Sequence, residues 1–298
     1  MIEVLAARPS MPAAIAALRA ALADGLDPSA DPARAVVPVP SGQFLLMPAF
    51  WASFAGVKVA TVAPGNPARD LPRIQGEYLL LDGATLTPLA LLDGVAVTSV
   101  RTAAVSALAV DCLAAPDASR LVVFGTGPQA ASHLEALREV RPVRDVVVVG
   151  RSAARTEAFA TAWGARVGTA ADVASADLVA CCTTSSTPLF DGALVPDGAT
   201  VVAVGSHEPH IREVDAGLMG RATVVVEAVD TALREAGDVV LAVSEGTLAP
   251  DALVPLSDVV RGAALPQPGP RLFKSVGMAW EDLVVAATTY EAARGESR

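Results

Sequence analysis

The stretch Leu121-Val-Val-Phe-Gly125-Thr126-Gly127-Pro128-Gln129-Ala130 constrains this chain more than any other. An apolar run ends in a Gly-x-Gly-x-x-Ala turn, and a helical pattern then runs to Val140. A dinucleotide-binding βαβ unit requires that order. Gly125 permits the tight turn, Gly127 lets the backbone approach a pyrophosphate, and a small residue at 130 lets the helix pack close to the strand. The helix N-terminus turns its unsatisfied N–H groups toward the phosphates. A second strand follows at 145–149, so the fingerprint stands in its proper context.

The end of that second strand bears on which dinucleotide is expected. An NAD-preferring site places Asp or Glu about 20 residues beyond the glycines, to accept from the ribose 2′-hydroxyl. Here the strand ends Val149-Gly150-Arg151-Ser152, with Arg155 one helical turn on, and no carboxylate stands there. Arg151, Ser152 and Arg155 offer two cations and a hydroxyl where a 2′-phosphate would sit, and the guanidinium fork suits phosphate. NADP(H) is therefore favoured, with NAD(H) as the alternative. The structural alternative is that both arginines are solvated residues at a helix start.

A chain of 298 residues can bury a substantial core as one large domain or two ordinary ones. Its hydrophobic content is 52% with only 4% aromatics, which reads as an alanine-rich α/β protein. No uninterrupted apolar run approaches the length of a membrane span, about 18 residues. The N-terminal residues show no signal-peptide pattern. A net charge of −10 argues against nucleic acid as a partner. Three cysteines (Cys112, Cys181, Cys182) without a disulfide framework fit a reducing cytoplasm. His207 and His210 flank Pro209 and have no third ligand nearby, so no metal site is expected.

Residues 10–24 read as an alanine-rich helix, with Ser10 as N-cap and Pro12 in the first turn. Short strands are expected at 35–38, 43–47, 56–62, 76–81 and 88–92, in a mostly antiparallel or mixed sheet. A long helix is expected over 98–114. Strands then follow at 121–124, 145–149, 165–168, 178–182, 200–204 and 222–227, with helices at 128–140, 153–162 and 171–175. That alternation predicts a doubly wound parallel sheet. A last helix, 278–293, returns to the first domain. The expected fold class is thus α/β: a Rossmann doubly wound parallel sheet over 113–275, plus a discontinuous α+β substrate-binding and dimerisation domain over 1–112 and 276–298. Ligands are expected at the carboxyl ends of the parallel strands.

Motifs along the whole chain resemble the ornithine cyclodeaminase/µ-crystallin family. They include Leu46-Met-Pro-Ala49, Gly56-Val-Lys58, Pro64-Gly-Asn66, Gln75-Gly76 and Leu92-Asp-Gly94. The strongest is Thr98-Ser-Val-Arg101-Thr-Ala-Ala104, followed by the glycine turn. Later come Gly205-Ser-His207, Arg212-Glu213-Val-Asp215, Glu235-Ala-Gly237-Asp238 and Leu272-Phe-Lys-Ser275-Val-Gly277. The resemblance implies a homodimer with a nicotinamide cofactor, acting at the C–N centre of a small amino or imino acid. It implies that Arg34, Lys58 and Arg101 bind the substrate, with Arg34 and Arg101 gripping its carboxylate and Lys58 joining them or polarising the imine region. Read without the family, any one of these cations is a surface charge, but Lys58 in the apolar run Gly56-Val-Lys-Val-Ala60 and Arg101 on a small, apolar helix face are each either half of a structural ion pair or an anion site. The resemblance also places Ser275, Val276 and Gly277 near the nicotinamide. Thr183, after the Cys181-Cys182 strand, lines the cofactor or sits in a polar loop.

Three departures stand out. Glu227 ends the strand Thr223-Val-Val-Val-Glu227 where the family usually has Asp, and the resemblance makes it the proton-transfer group. Its extra methylene moves the carboxylate by about 1.5 Å. Asp230 is the alternative, and a cap on the following helix is the structural reading. Leu45 stands where cyclodeaminases of the family carry Glu, which suits an apolar ring better than a diamino acid. Arg73 and Ile74 replace the usual Thr-His. The leading expectation is an NADPH-dependent reductase of a cyclic ketimine such as Δ1-pyrroline-2-carboxylate. The alternatives are ornithine cyclodeamination, alanine or opine-type dehydrogenation, and NADPH binding with little catalysis. Asp282 is expected to be structural.

Overall fold

Five of the strands expected from the sequence form an antiparallel meander in the N-terminal part of the chain. The computed structural model describes residues 3–5, 9–265 and 269–295. In order come β1 (Glu3–Leu5), α1 (Met11–Ala23), β2 (Ala35–Val39), β3 (Gly42–Trp51), β4 (Phe54–Val62), β5 (Ile74–Asp82) and β6 (Pro88–Asp93). The sheet order is β1-β6-β5-β4-β3-β2, with β1 parallel to β6 and every other pair antiparallel. The strand expected to end at Met47 continues through Pro48 to Trp51. β2 stops pairing at Leu46, so Pro48 sits where β3 has one free edge and a missing N–H is tolerated. Ser10 is the N-cap residue of α1, but its side chain makes no cap hydrogen bond.

Strand register puts Met47, Lys58 and Tyr78 in one cross-strand row, and Leu45, Ala60 and Gly76 in the next row on the same face. The C-terminal helix, Ala279–Ala293, packs on α1, β3, β4 and β5. It covers a buried face that includes Met47, Ala49, Tyr78 and Leu80. This helix is buried almost all round, and its buried residues include Glu281 and Asp282. Charged groups in such a place must be paired.

The helix expected over 98–114 spans Gly94–Leu113 and is α2. By length and composition it could cross a membrane, but 67% of the stretch is buried inside the fold, which accounts for its apolar character. The chain divides into two compact units within this helix: Met1–Arg101 with Met278–Arg298, and Thr102–Gly277. The boundaries expected at 112/113 and 275/276 differ from these. The later part of α2 belongs with the second unit because Ser106 bonds His133 and Arg141 caps the helix end through Val110, Asp111 and Ala114.

The second unit begins with β7 (Arg120–Phe124), α3 (Pro128–Val140), β8 (Asp145–Val149), α4 (Ala153–Trp163), β9 (Arg166–Val167), β10 (Leu178–Cys181) and β11 (Thr200–Ala203). It continues with α5 (Ala216–Arg221), β12 (Thr223–Val226), α6 (Val229–Glu235), α7 (Gly237–Ser244), β13 (Val254–Pro255), α8 (Leu256–Val260) and β14 (Arg271–Lys274). The C-terminal helix is then α9. The eight strands are all parallel, in the order β13-β12-β14-β11-β10-β7-β8-β9. Chain order reverses at β7, with β8 on one side and β10 on the other. Such a switch point leaves room for a ligand beyond the strand ends. β14 was not expected as a strand. It enters between β11 and β12, which are nearer each other in sequence than either is to it.

Candidate active site

The glycine turn follows β7 directly. Gly125 has φ of +113°, and a Cβ there would come within 2.6 Å of the Cys182 carbonyl oxygen. Only glycine fits that position without strain. Gly127 is the N-cap residue of α3, is exposed, and has open space where a Cβ would stand. No side chain caps α3, so its first-turn N–H groups are available to an anion. Pro128 opens the helix, and the Oε1 atom of Gln129 is buried with no hydrogen-bond partner among the described residues. Thr126 is half-buried. These features fit a dinucleotide pyrophosphate. At the end of β8, Arg151 and Arg155 are exposed, and Ser152 is the N-cap residue of α4 with its hydroxyl not engaged as a cap.

Beyond the ends of β10, β11 and β14 lies a buried polar network. Glu213 accepts from the N–H and hydroxyl of Thr183, both at 2.7 Å, and from the N–H of Gly205 at 2.7 Å. Burial pushes the Glu213 carboxyl up, partly countered by the Lys274 ammonium. Asp238 accepts from the N–H groups of Glu213 and Val214 and pairs with Lys274 at 2.9 Å. Lys274 also donates to the Ser206 carbonyl. Thr183 is thus held by a carboxylate that the sequence does not place beside it. Glu213, Asp238 and Lys274 stood in family-like motifs without a role, and their link is purely tertiary.

Glu227 is also buried. Its carboxylate accepts from the Ser275 hydroxyl at 2.7 Å, the Val276 N–H at 2.9 Å and the Gly277 N–H at 3.0 Å. Gly277 sits at φ +75°, in the left-handed region. The structure therefore gives Glu227 a bracing duty: it fixes the turn of Ser275, Val276 and Gly277. Oε1 accepts two of these bonds and Oε2 one, so the carboxylate stands directly against the segment that the resemblance places near the nicotinamide. Glu227 does not cap α6, whose N-cap is Ala228 without a side-chain bond, and Asp230 is exposed in the first turn of that helix.

In the first unit, two expected substrate cations are buried together. Lys58 is 2% exposed and Arg101 6%. Lys58 Nζ donates to Asp282 Oδ2 at 2.6 Å and to Thr98 Oγ1 at 3.2 Å. Arg101 Nε donates to Asp282 Oδ1 at 3.2 Å, and Nη1 to Glu281 Oε2 at 2.7 Å. Two cations thus face two carboxylates, which makes them ion-paired groups and leaves one Lys58 N–H directed elsewhere. Burial lowers the Lys58 ammonium to about 8, with Asp282 opposing that fall and the Arg101 and Arg34 charges adding to it. Arg34 lies just before β2 and is half-buried. Asp282, expected to be merely structural, is the residue that holds both cations.

Asp31 belongs to the same cluster. Its Oδ2 accepts from the Trp280 N–H at 2.6 Å, at the start of α9. Burial raises its carboxyl to about 7, against the pull of that hydrogen bond and with help from the Asp282 charge. Nothing in the local sequence marks Asp31, which reads as a loop acid. The row Leu45, Ala60, Gly76 lies next to Lys58 on the same face and carries no polar side chain.

Known proteins resemble this chain along its whole length. The model of the ornithine cyclodeaminase/mu-crystallin family matches residues 3–297. A Delta(1)-pyrroline-2-carboxylate reductase of Colwellia psychrerythraea is 35% identical over 262 residues, 83% of either chain. A Delta(1)-pyrroline-2-carboxylate/Delta(1)-piperideine-2-carboxylate reductase of Azospirillum brasilense is 37% identical over 290 residues, 94% of this chain and 91% of its own. The structure of Thermococcus litoralis Delta(1)-pyrroline-2-carboxylate reductase, in complex with NADH and L-proline, superposes with a TM-score of 0.89. It is 27% identical and covers 99% of this chain and 98% of its own.

Proposed function

We propose a function from one premise: this chain belongs to the ornithine cyclodeaminase/mu-crystallin family. It is a nicotinamide-dependent oxidoreductase that reduces a small cyclic ketimine carrying a carboxylate, such as Δ1-pyrroline-2-carboxylate. The observation that carries this reading is the buried pair Lys58 and Arg101 beside the apolar row Leu45, Ala60 and Gly76. A substrate carboxylate suits the cations, and an apolar ring suits the row. A diamino acid would need an acidic partner for its second ammonium, and the row offers none. The reductase names of the relatives and the proline in the related complex support the same direction.

In this reading Arg34, Lys58 and Arg101 bind the substrate, with the spare Lys58 N–H directed at its carboxylate or imine region. Gly125, Thr126, Gly127, Pro128 and Gln129 receive the cofactor pyrophosphate. Thr183 and the turn of Ser275, Val276 and Gly277, braced by Glu227, border the nicotinamide. When bound, the cofactor supplies hydride to the imine carbon. Arg151, Ser152 and Arg155, with no carboxylate at the β8 end, support NADPH over NADH.

Dimerisation is supported by the outer face of the first unit's sheet, where Val37 is 43%, Phe44 37% and Val59 38% exposed. Apolar side chains clustered there suit a second copy of the chain. Three free thiols suit a reducing cytoplasm.

The test follows loss of reduced-nicotinamide absorbance with Δ1-pyrroline-2-carboxylate, using NADPH and NADH separately. Oxidation of NADPH in preference to NADH is the expected result. No oxidation of either, with ammonia released from ornithine in the presence of NAD+, would replace this reading with cyclodeamination.

A further inference from the structure

A dinucleotide held only at its pyrophosphate leaves its ring free to swing, and a misplacement of about 1 Å at a reacting atom can cost roughly 100-fold in rate. We propose that Glu213 is a positioning residue for the nicotinamide half of the cofactor. It fixes the turns after β10 and β11 to each other and ties them to the turn after β14. This rests on the nicotinamide-dependent reading and deepens it.

Strand register directs Glu213 at the ligand crevice. Phe124, Cys181, Ala203, Lys274 and Val226 are the last residues of β7, β10, β11, β14 and β12, and they lie in one cross-strand row. The chain therefore leaves these five strands at one level, and the residues that follow form a rim along the carboxyl ends, where such sheets take ligands. Along the rim come the glycine turn, then Thr183, then Gly205, then Ser275–Gly277. Thr183 and Gly205 thus stand between the turn that suits the pyrophosphate and the turn proposed to border the ring.

One carboxylate joins these two residues. Glu213 Oε1 accepts from the N–H and hydroxyl of Thr183, and Oε2 from the N–H of Gly205. The neighbouring backbones are in close contact. A Cβ on Gly205 would strike the Thr183 carbonyl oxygen, and the Cys182 carbonyl oxygen packs on Gly125. A shift of Thr183 therefore presses on the turns to either side.

Glu213 is itself held in place. Asp238 Oδ1 accepts from its N–H, and Asp238 Oδ2 pairs with Lys274. Lys274 donates to the carbonyl of Ser206, which follows Gly205, and directly precedes Ser275. The links close into a ring from Gly205 through Glu213, Asp238 and Lys274 back to Ser206. An ionised carboxylate suits the place because it meets three donors with no donor of its own. An apolar side chain would cost less to bury but would leave the Thr183 and Gly205 N–H groups without this partner.

The test measures equilibrium binding of NADPH and of 2′-phospho-ADP-ribose, the corresponding molecule without nicotinamide, to the whole protein. NADH and ADP-ribose form the matching second pair. Glu213→Gln keeps the side-chain shape but sets an amide N–H against a donor. Wild type should bind NADPH more tightly than the fragment. In Glu213→Gln the affinity for NADPH should fall by about 10–100-fold while that for the fragment stays within about threefold. If this variant does not fold, Thr183→Val removes one of the bonds to Glu213 and should show the same selective loss. Thr183→Ser keeps the hydroxyl and should bind as wild type does. Equal loss of both ligands, loss of neither, or wild type that binds the two alike would make Glu213 a brace of the fold alone and overturn the proposal. A loss in Thr183→Ser that matches Thr183→Val would overturn it too, because packing would then replace the bond as the cause. If wild type binds neither NADPH nor NADH, the nicotinamide-dependent reading falls and takes the proposal with it.

Discussion

Replacing Asp31 by Asn removes a charge but keeps an acceptor for Trp280, so its effect on stability should depend on pH. In the folded protein the carboxyl is raised from 3.8 to about 7. At about 1.36 kcal/mol for each tenfold change in proton affinity, that corresponds to roughly 4 kcal/mol. The sign follows from proton binding. Between 3.8 and 7 the unfolded chain has already lost the proton that the folded protein keeps, so stability falls as pH rises through this window. Below it the aspartate and asparagine proteins should melt together. At pH 8 the full penalty applies, and Asp31→Asn should raise Tm by roughly 5–10 °C. The assay is thermal unfolding of both proteins at pH 4.5 and pH 8. An equal difference in Tm at the two pH values would refute the reasoning, because a neutral loss of packing has no reason to follow pH.

Other outcomes follow from the same contacts. Asp282→Asn leaves Lys58 and Arg101 short of a counter-charge and should cost about 3–5 kcal/mol, read by urea unfolding. Arg151→Ala with Arg155→Ala should raise the KM for NADPH by about 10–100-fold and leave NADH nearly unchanged, since charge-assisted hydrogen bonds contribute roughly 1.5–3 kcal/mol. Glu227→Gln turns an amide N–H toward donors of the Ser275–Gly277 turn, at a cost of about 1–3 kcal/mol. It should weaken NADPH binding without moving the pH profile of imine reduction. A lost acidic or basic limb in that variant would mark Glu227 as the proton-transfer group.

What could be read from the sequence was local in the chain. The β7–α3–β8 unit was legible because its turn glycines, apolar runs and helix lie within 30 contiguous residues (120–149). The antiparallel meander was legible because β2–β3, β3–β4 and β5–β6 are joined by short turns, and Pro64-Gly-Asn-Pro67 punctuates the longer β4–β5 connection. β14 was not, because a strand that enters between β11 and β12 is placed by packing. The candidate site divided the same way. Lys58 and Arg101 stood out as cations in apolar surroundings, but their partner Asp282 is 224 residues from Lys58. Asp31 reads as a loop acid in the sequence, because its partner, the Trp280 N–H, is 249 residues away. Glu227 was singled out correctly as a strand-end carboxylate, yet its duty depends on three donors contributed by residues 275–277.

The central claim is hydride delivery to the carbon of a cyclic ketimine. The most direct measurement is mass spectrometry of the product formed from Δ1-pyrroline-2-carboxylate with NADPH deuterated at the transferable C4 position. The account predicts proline carrying one deuterium at Cα. Absence of proline, or proline without the label, would contradict it.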